Sequence, residues 1–251
     1  MYSTFSFSEQ VSILFIYLYV YTTMEYSLLY LPAPIEKHIK IFSYENPESK
    51  VISAAKQGKL WEKKLYKIYK DLIQPTDVVI DVGAFIGSHT VAFSHLANQG
   101  KVYAFEPCRK PYDALSKTLE TNHMDNVTLY KSAVTNKISN DEVMGSTYDG
   151  DSFIKRLRCS KKSKEEETVT TLTIDSLNLE RCDLIKIDTE GAEWLVLEGA
   201  QATIDNYRPS IFFETFRKPN MAHIDKLDEW CTENFYNWTH LKADDYLLQS
   251  I

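Results

Sequence analysis

Beyond Pro75 the chain alternates short, mostly apolar, β-branched runs with amphipathic stretches, and the runs read VVID, KVYAFE, NVTLYK, DLIKID and SIFFET. Runs this short with little polar alternation suit strands buried on both faces, and the stretches between them supply the crossovers that parallel strands need. The pattern predicts a doubly wound α/β fold with a mostly parallel sheet. Upstream, in VISAAKQGKLWEKKLYKIYKDLI, the residues Leu60, Trp61, Leu65, Ile68, Tyr69 and Leu72 recur at helical spacing. That spacing predicts a helix ending before Pro75, with Lys63, Lys64, Lys67 and Lys70 on a solvated face. Residues Asp113–Asn122, after Pro111, and Ala192–Asn206, with Trp194, Leu195, Leu197 and Ile204 as its stripe, read as further helices. The tail segments FYNWTHL and DYLLQSI predict an antiparallel hairpin turning at Ala243 to Asp245.

One stretch breaks this rhythm. Asn136–Thr168 is polar, with a basic cluster from Lys155 to Lys164 running into Glu165, Glu166 and Glu167. It reads as a mobile surface loop that touches substrate near its ends. The expected organisation is an extension and lead-in over residues 1–59, then one domain over residues 60–251 with residues 136–168 as its insertion. A chain of 251 residues with 44% hydrophobic content can bury one substantial core of this kind.

Charge and cysteine usage narrow the partners. A formal charge of −7 argues against general binding to a nucleic-acid backbone, which needs a surplus of Lys and Arg. Cys108, Cys159, Cys182 and Cys231 lie far apart and form no C-x-x-C pair, so a reducing, cytoplasmic setting is the simpler reading. The apolar segment Val11–Met24 is too short to span a bilayer and lacks the basic flank and small-residue cleavage site of a secretory signal. It reads as a packing segment, or as sequence upstream of a start at Met24, with membrane association left as the weaker alternative.

The candidate chemistry lies in DVVIDVGAFIGSHTVAF. A buried strand ends at Asp81, and the turn Gly83, Ala84, Phe85, Ile86, Gly87 leads into a helix. In open α/β sheets ligands sit at the carboxyl ends of the strands, and small residues there let a ligand approach the backbone. A nicotinamide-binding turn would read G-x-G-x-x-G and present a helix N-terminus to a pyrophosphate. Here the turn is D-x-G-A-x-x-G. An acid before the first glycine suits the cationic amine of a methionyl group, which favours S-adenosylmethionine. Glu106, ending the next strand, has the carboxylate needed to accept hydrogen bonds from ribose hydroxyls, a feature that an NAD site would share.

Together DVGAFIGSHT, AFEP and DLIKIDTEGAEWLVLEGA resemble the FkbM-type S-adenosylmethionine-dependent methyltransferases, over about Leu60 to Phe216. The resemblance implies a class I methyltransferase fold, with a seven-stranded sheet whose final strand is antiparallel, acting on a hydroxyl oxygen. It carries Asp81, Gly83, Ala84 and Gly87 onto the first cofactor loop and Glu106 onto the ribose. Ser132 and Ala133 fall beside the adenine, and Asp188, Glu190 and Gly191 beside the transferred methyl group. Phe85 stands at a cofactor-loop position where the family often has Asn, which removes a polar side-chain contact there while leaving the backbone loop.

Methyl transfer from a sulfonium needs a nucleophile held in line, and a hydroxyl nucleophile needs a base. Asp188 and Glu190 stand where such a base belongs, with capping of the following helix as the competing role for either. Glu214, ending SIFFET, is a candidate on the substrate side. His89 is the histidine beside the cofactor loop, where packing in the first helical turn competes with a catalytic role. Trp61 and Glu62 read as a core tryptophan beside a surface acid, with closure over the cofactor as the alternative. Nothing in the spacing demands a metal, although Asp188 and Glu214 together would suit a hard divalent cation. The expected acceptor is a small molecule or glycan. An NAD(P)-dependent oxidoreductase and a non-catalytic module of the same fold stay open as alternatives.

Overall fold

A computed structural model describes residues 24–32, 35–146, 152–154, 165–215, 221–242 and 244–251. Most of the apolar run at 11–24 and the basic cluster at 155–164 lie outside these residues. Among the described residues no helix is long and apolar enough to cross a membrane.

The chain opens with an antiparallel hairpin, β1 (Glu25–Leu31) and β2 (Lys37–Ser43). Leu29, Leu31, Ile39 and Ile41 alternate inward, as a half-buried pair of strands requires. Next come α1 (Lys50–Lys56), capped by Ser49, whose Oγ accepts from the Ile52 amide, and α2 (Lys63–Leu72). The apolar run upstream of Pro75 is therefore two helices, parted at Gly58, whose φ of +68° ends the first. Leu65, Tyr66 and Tyr69 face inward from α2 while Lys63, Lys64, Lys67 and Lys70 are exposed, so the lysines form a solvated face.

The α/β region runs β3 (Val78–Val82), α3 (Thr90–Leu96), β4 (Lys101–Phe105), α4 (Arg109–Thr121) and β5 (Val127–Tyr130). After an intervening small sheet it continues with β10 (Leu184–Ile187), α5 (Glu193–Glu198), α6 (Gln201–Tyr207), β11 (Ser210–Glu214), α7 (Met221–Asn234), β12 (Tyr236–Lys242) and β13 (Asp245–Ser250). The central sheet has seven strands in the order β12-β13-β11-β10-β3-β4-β5. All five expected apolar runs lie in it as parallel neighbours, and β13 enters antiparallel to both β11 and β12. This is the class I methyltransferase form of the Rossmann-like fold. Two apolar clusters cover its faces. The lead-in shares one of them, since Leu29, Ile41 and Ile52 pack in the same cluster as Leu65, Val91 and Leu115.

Three expectations need correction. α4 begins at Arg109, before Pro111, because a proline in the first turn lacks only an amide that would have had no partner there. The single helix expected over Ala192–Asn206 is two, α5 and α6. They part at Gly199, where a Cβ would stand 2.1 Å from the Thr135 carbonyl oxygen. Thirdly, the described residues of the polar stretch at 136–168 include strands. β7 (Ser139–Ser146), β8 (Ser152–Ile154) and β9 (Glu165–Leu172) join β6 (Ser132–Val134) in a sheet of order β6-β9-β7-β8. Only alternate positions such as Met144, Val169 and Thr171 turn inward, so the composition is polar although the backbone is paired.

Candidate active site

The glycine turn after β3 is pinned from both sides. The amides of Gly83 and Ala84 both donate to the Phe105 carbonyl at 3.0 Å, and the Phe85 amide donates to Glu106 Oε2 at 3.0 Å. Gly83 (φ +83°) and Gly87 (φ +91°) take the left-handed conformations that the turn demands, and Phe85 is held at φ +50° between them. At Gly83 the demand is absolute, because a Cβ there would lie 1.7 Å from the Asp188 carbonyl oxygen. Two strand ends thus touch backbone to backbone.

A cleft with a cavity volume of about 290 Å³ opens at the carboxyl ends of β3, β4, β10 and β11. Gly83, Phe85 and Glu106 line one side, with Ser132 and Ala133 of β6 beside them; Asp188, Glu190 and Glu214 line the other. Glu106 is buried, and its two oxygens accept from the Phe85 amide and, at 2.9 Å, from the Cys108 amide. Burial outweighs these bonds and lifts its carboxyl to about 7.

Asp188 is met by a cation that the motif does not advertise. Lys186 is 4% exposed, and its Nζ stands 3.1 Å from Asp188 Oδ2. Burial pulls the Lys186 ammonium down, but Asp188, Asp81 and Glu214 reverse this and hold it above the ordinary lysine range. Asp81 is fully buried under the turn; its Oδ2 accepts from Thr90 Oγ1 at 2.7 Å, and its Oδ1 has no hydrogen-bond partner among the described residues. The loop after Asp188 is shaped by Glu193, whose Oε1 accepts from the Gly191 amide at 2.6 Å and from Thr189 Oγ1 at 3.2 Å. Glu193 thereby satisfies the loop from within, and Glu190, at φ +55°, lines the cleft. Among the described residues no three His, Cys, Asp or Glu side chains converge as a metal site.

The lead-in segment completes the wall. Trp61 and Glu62 both line the cleft, and the Glu62 side chain is only 11% exposed, which corrects its reading as a surface acid. Glu62 sits at φ +52° before α2, pairs with Lys242 of β12, and has His89 Nε2 3.5 Å away. Burial raises the Glu62 carboxyl, but His89 and Lys242 overcome that and hold it at about 2. Lys242 also reaches Asp245 Oδ2 at 3.4 Å.

A family model described as the methyltransferase FkbM domain matches residues 81–236. The chain belongs to the FkbM methyltransferase family. The match begins at Asp81 and takes in the glycine turn, Glu106, the Asp188 loop and Glu214.

A solved structure of the same family shares the fold of this chain. The FkbM methyltransferase from Methylobacillus flagellatus KT matches at 17% identity with a TM-score of 0.52, covering 75% of this chain and 50% of that one. The chain thus spans half the length of that protein. The precorrin-6y C5,15-methyltransferase from Geobacter metallireducens GS-15 is 13% identical over 75% of this chain and 89% of its own, with a TM-score of 0.46. M. jannaschii TYW2 in complex with AdoMet is 13% identical over 91% and 87%, with a TM-score of 0.44. No curated protein matches the chain.

Of the expected site residues, Asp81, Ala84, Gly87 and His89 stand behind the FkbM cleft and do not line it. Ala84 and Gly87 shape the turn, the latter against Leu115, whose Cδ1 would meet an added Cβ at 2.4 Å. His89 packs edge-on against Tyr69 and stacks on Phe93, and it faces the cleft only through Glu62. Lys186 and the Lys242–Asp245 pair were not singled out in the sequence. For Lys186 a signal existed, since a lone lysine inside the buried run LIKI implies a paired charge.

The Glu106 carboxyl makes a specific pH dependence. Its folded value lies above its ordinary 4.5, so its contribution to stability is fully present below that pH and is lost as pH rises through about 7. Asp245, lifted to about 6 by burial and Glu62, adds the same sign over a lower window. Thermal unfolding between about pH 5 and 8 is expected to show stability falling as pH rises.

Proposed function

We propose that this chain transfers a methyl group from S-adenosylmethionine to a hydroxyl oxygen of a small-molecule or glycan acceptor, in a cytoplasmic setting. The observation that carries this reading is the convergence of Glu106, the Gly83 turn and the Lys186-braced Asp188 on one cleft. The residues present fit the cofactor. Glu106 lines the cleft with lone pairs to spare for ribose hydroxyls, and Gly83 and Phe85 of the turn line it beside Glu106. When bound, the cofactor supplies an electrophilic methyl on a cationic sulfur.

The work of the chain is to orient, to exclude water and to take a proton. Asp188 accepts the proton of the acceptor hydroxyl, and Lys186 positions Asp188 by fixing its Oδ2. Ser132, Ala133 and Met144, which packs with Ala133, border the cleft from the small sheet, while Trp61 and Glu62 border it from the lead-in. The acidic lining of Glu48, Glu62, Glu190 and Glu214, with Lys50 as its basic member, disfavours phosphate-bearing acceptors.

Calorimetry with S-adenosylmethionine and with NAD(P), followed by a radiolabel transfer assay across hydroxylated acceptors, tests the reading. Binding of the nicotinamide alone would end it. Replacing Glu106 with Gln is expected to weaken S-adenosylmethionine binding by about 10- to 100-fold, the worth of hydrogen bonds to a charged acceptor. The variant also exchanges an acceptor for a donor beside an amide, so its fold should be checked by circular dichroism.

A further inference from the structure

Three acids stand side by side across the carboxyl edge of the sheet. Ile187 of β10 and Phe213 of β11 are register partners, so Asp188 and Glu214 follow on adjacent strands, and Glu214 is itself in register with Asp245 of β13. Neighbouring strands are only about 4.8 Å apart. Glu62 closes over this row from the lead-in, and its charge acts on both Glu214 and Asp245.

Two ammonium groups answer these four carboxyls. Lys186 pairs with Asp188, and Lys242 with Asp245 and Glu62. Glu214 has no ion pair among the described residues and lines the cleft directly. Adjacent carboxylates in a poorly solvated site cannot all ionise, and the member without a cation keeps its proton. The groups that face it are Asp188 and Lys186 from β10, Asp245 from β13 and Glu62 from the lead-in. The charge of Asp188, then burial, push the Glu214 carboxyl up to about 10.

We infer that Glu214 holds a proton in the cofactor-free site and releases it to solvent when a sulfonium cation enters the cleft. The inference rests on the cofactor reading above. A ligand whose ribose meets Glu106 at the end of β4, and which passes over the Gly83 turn, extends its sulfur towards Asp188 and Glu214. A positive charge there favours the ionised carboxyl and replaces the proton as the third cation of the row. The step balances: the carboxylic acid becomes a carboxylate, and the proton passes to buffer. Glu214 thereby distinguishes the charged cofactor from its uncharged thioether product, because only the former compensates the ionised acid.

The test is isothermal calorimetry on the full chain at about pH 8, in buffers of different ionisation enthalpy, with S-adenosylmethionine and with S-adenosylhomocysteine. The α-amino group is more acidic in the sulfonium than in the thioether, so the proton exchange of each ligand's own amine is measured on the free ligand and subtracted before the two are compared. The expected result is about one more proton released on binding the sulfonium than on binding the thioether. In Glu214→Gln that difference should vanish, and in the unmodified protein sulfonium affinity should rise towards high pH more steeply than thioether affinity. Equal proton counts for the two ligands would overturn the inference while leaving the cofactor reading intact, with no variant needed. Failure of either ligand to bind would overturn both. A difference that persists in a folded Glu214→Gln variant would assign the proton to another group and refute the role of Glu214.

Discussion

Replacing Gly83 with Ala should unfold the cofactor turn, lowering stability by roughly 3–5 kcal/mol, at the upper end of single-substitution effects. Two penalties add. The residue sits at φ +83°, which an L side chain adopts at a cost of about 1–2 kcal/mol. A Cβ would also lie 1.7 Å from the Asp188 carbonyl oxygen. A backbone oxygen on a paired strand end cannot rotate away, so the turn and the Asp188 loop must part, and the cleft opens between them. Gly87→Ala is the informative control, because its Cβ would meet the Cδ1 tip of Leu115, which can shift. It should cost about 1–2 kcal/mol, mostly from its φ. Thermal melting of the two variants should differ by several degrees, with S-adenosylmethionine binding lost in the first and weakened in the second. Equal melting temperatures would show that the backbone contact contributes nothing.

Lys186→Met should be nearly as severe, and its severity should depend on pH. Removing one partner of a buried ion pair leaves the other charge uncompensated, typically at about 3–5 kcal/mol. Here the ammonium serves Asp188 at 3.1 Å and also offsets Asp81. The Lys186 ammonium is held above the ordinary lysine range, so its contribution is fully present below that range and is lost only in strongly alkaline solution. Across about pH 5 to 9 the native protein keeps the full benefit. In the variant, the carboxyls left behind can relieve their repulsion by taking up protons as pH falls. The gap in unfolding free energy between the two proteins should therefore be largest near pH 8 and shrink towards pH 5. A gap that stays constant over this window would mean that Lys186 acts through packing of its aliphatic stem.

The hidden cation shows why parts of the site escape a linear reading. Lys186 sits two residues before Asp188 on one strand, and the run LIKI carries the hint of a buried charge. Glu62 and Lys242 carry no such hint. They are separated by most of the chain, and each alone resembles a solvated side chain next to an aromatic or polar neighbour. Only the meeting of the lead-in with the hairpin β12–β13 makes them a pair, and only that pair turns Glu62 into a wall of the cleft. The strands hidden in 136–168 escaped for another reason. A strand with one face in solvent alternates between polar and apolar positions, and in β9 Glu166, Thr168 and Thr170 on the outer face dilute the signal that Val169 supplies.

By itself the sequence determined the local and the periodic. Five mostly apolar runs of strand length parted by helical stretches fit one parallel sheet with helical crossovers, and the glycine turn, Glu106 and Asp188 meet because each follows the carboxyl end of such a strand. Tertiary structure decided which charges share a space. Burial and separation set the energy of a carboxyl, and neither is a property of the chain in sequence order. The register of β10, β11 and β13 places Asp188, Glu214 and Asp245 in one row, and the folding back of the lead-in sets Glu62 above them. From those placements follow the lifted carboxyl of Glu214, the ammonium of Lys186 beneath the cleft, and the closure of the cavity.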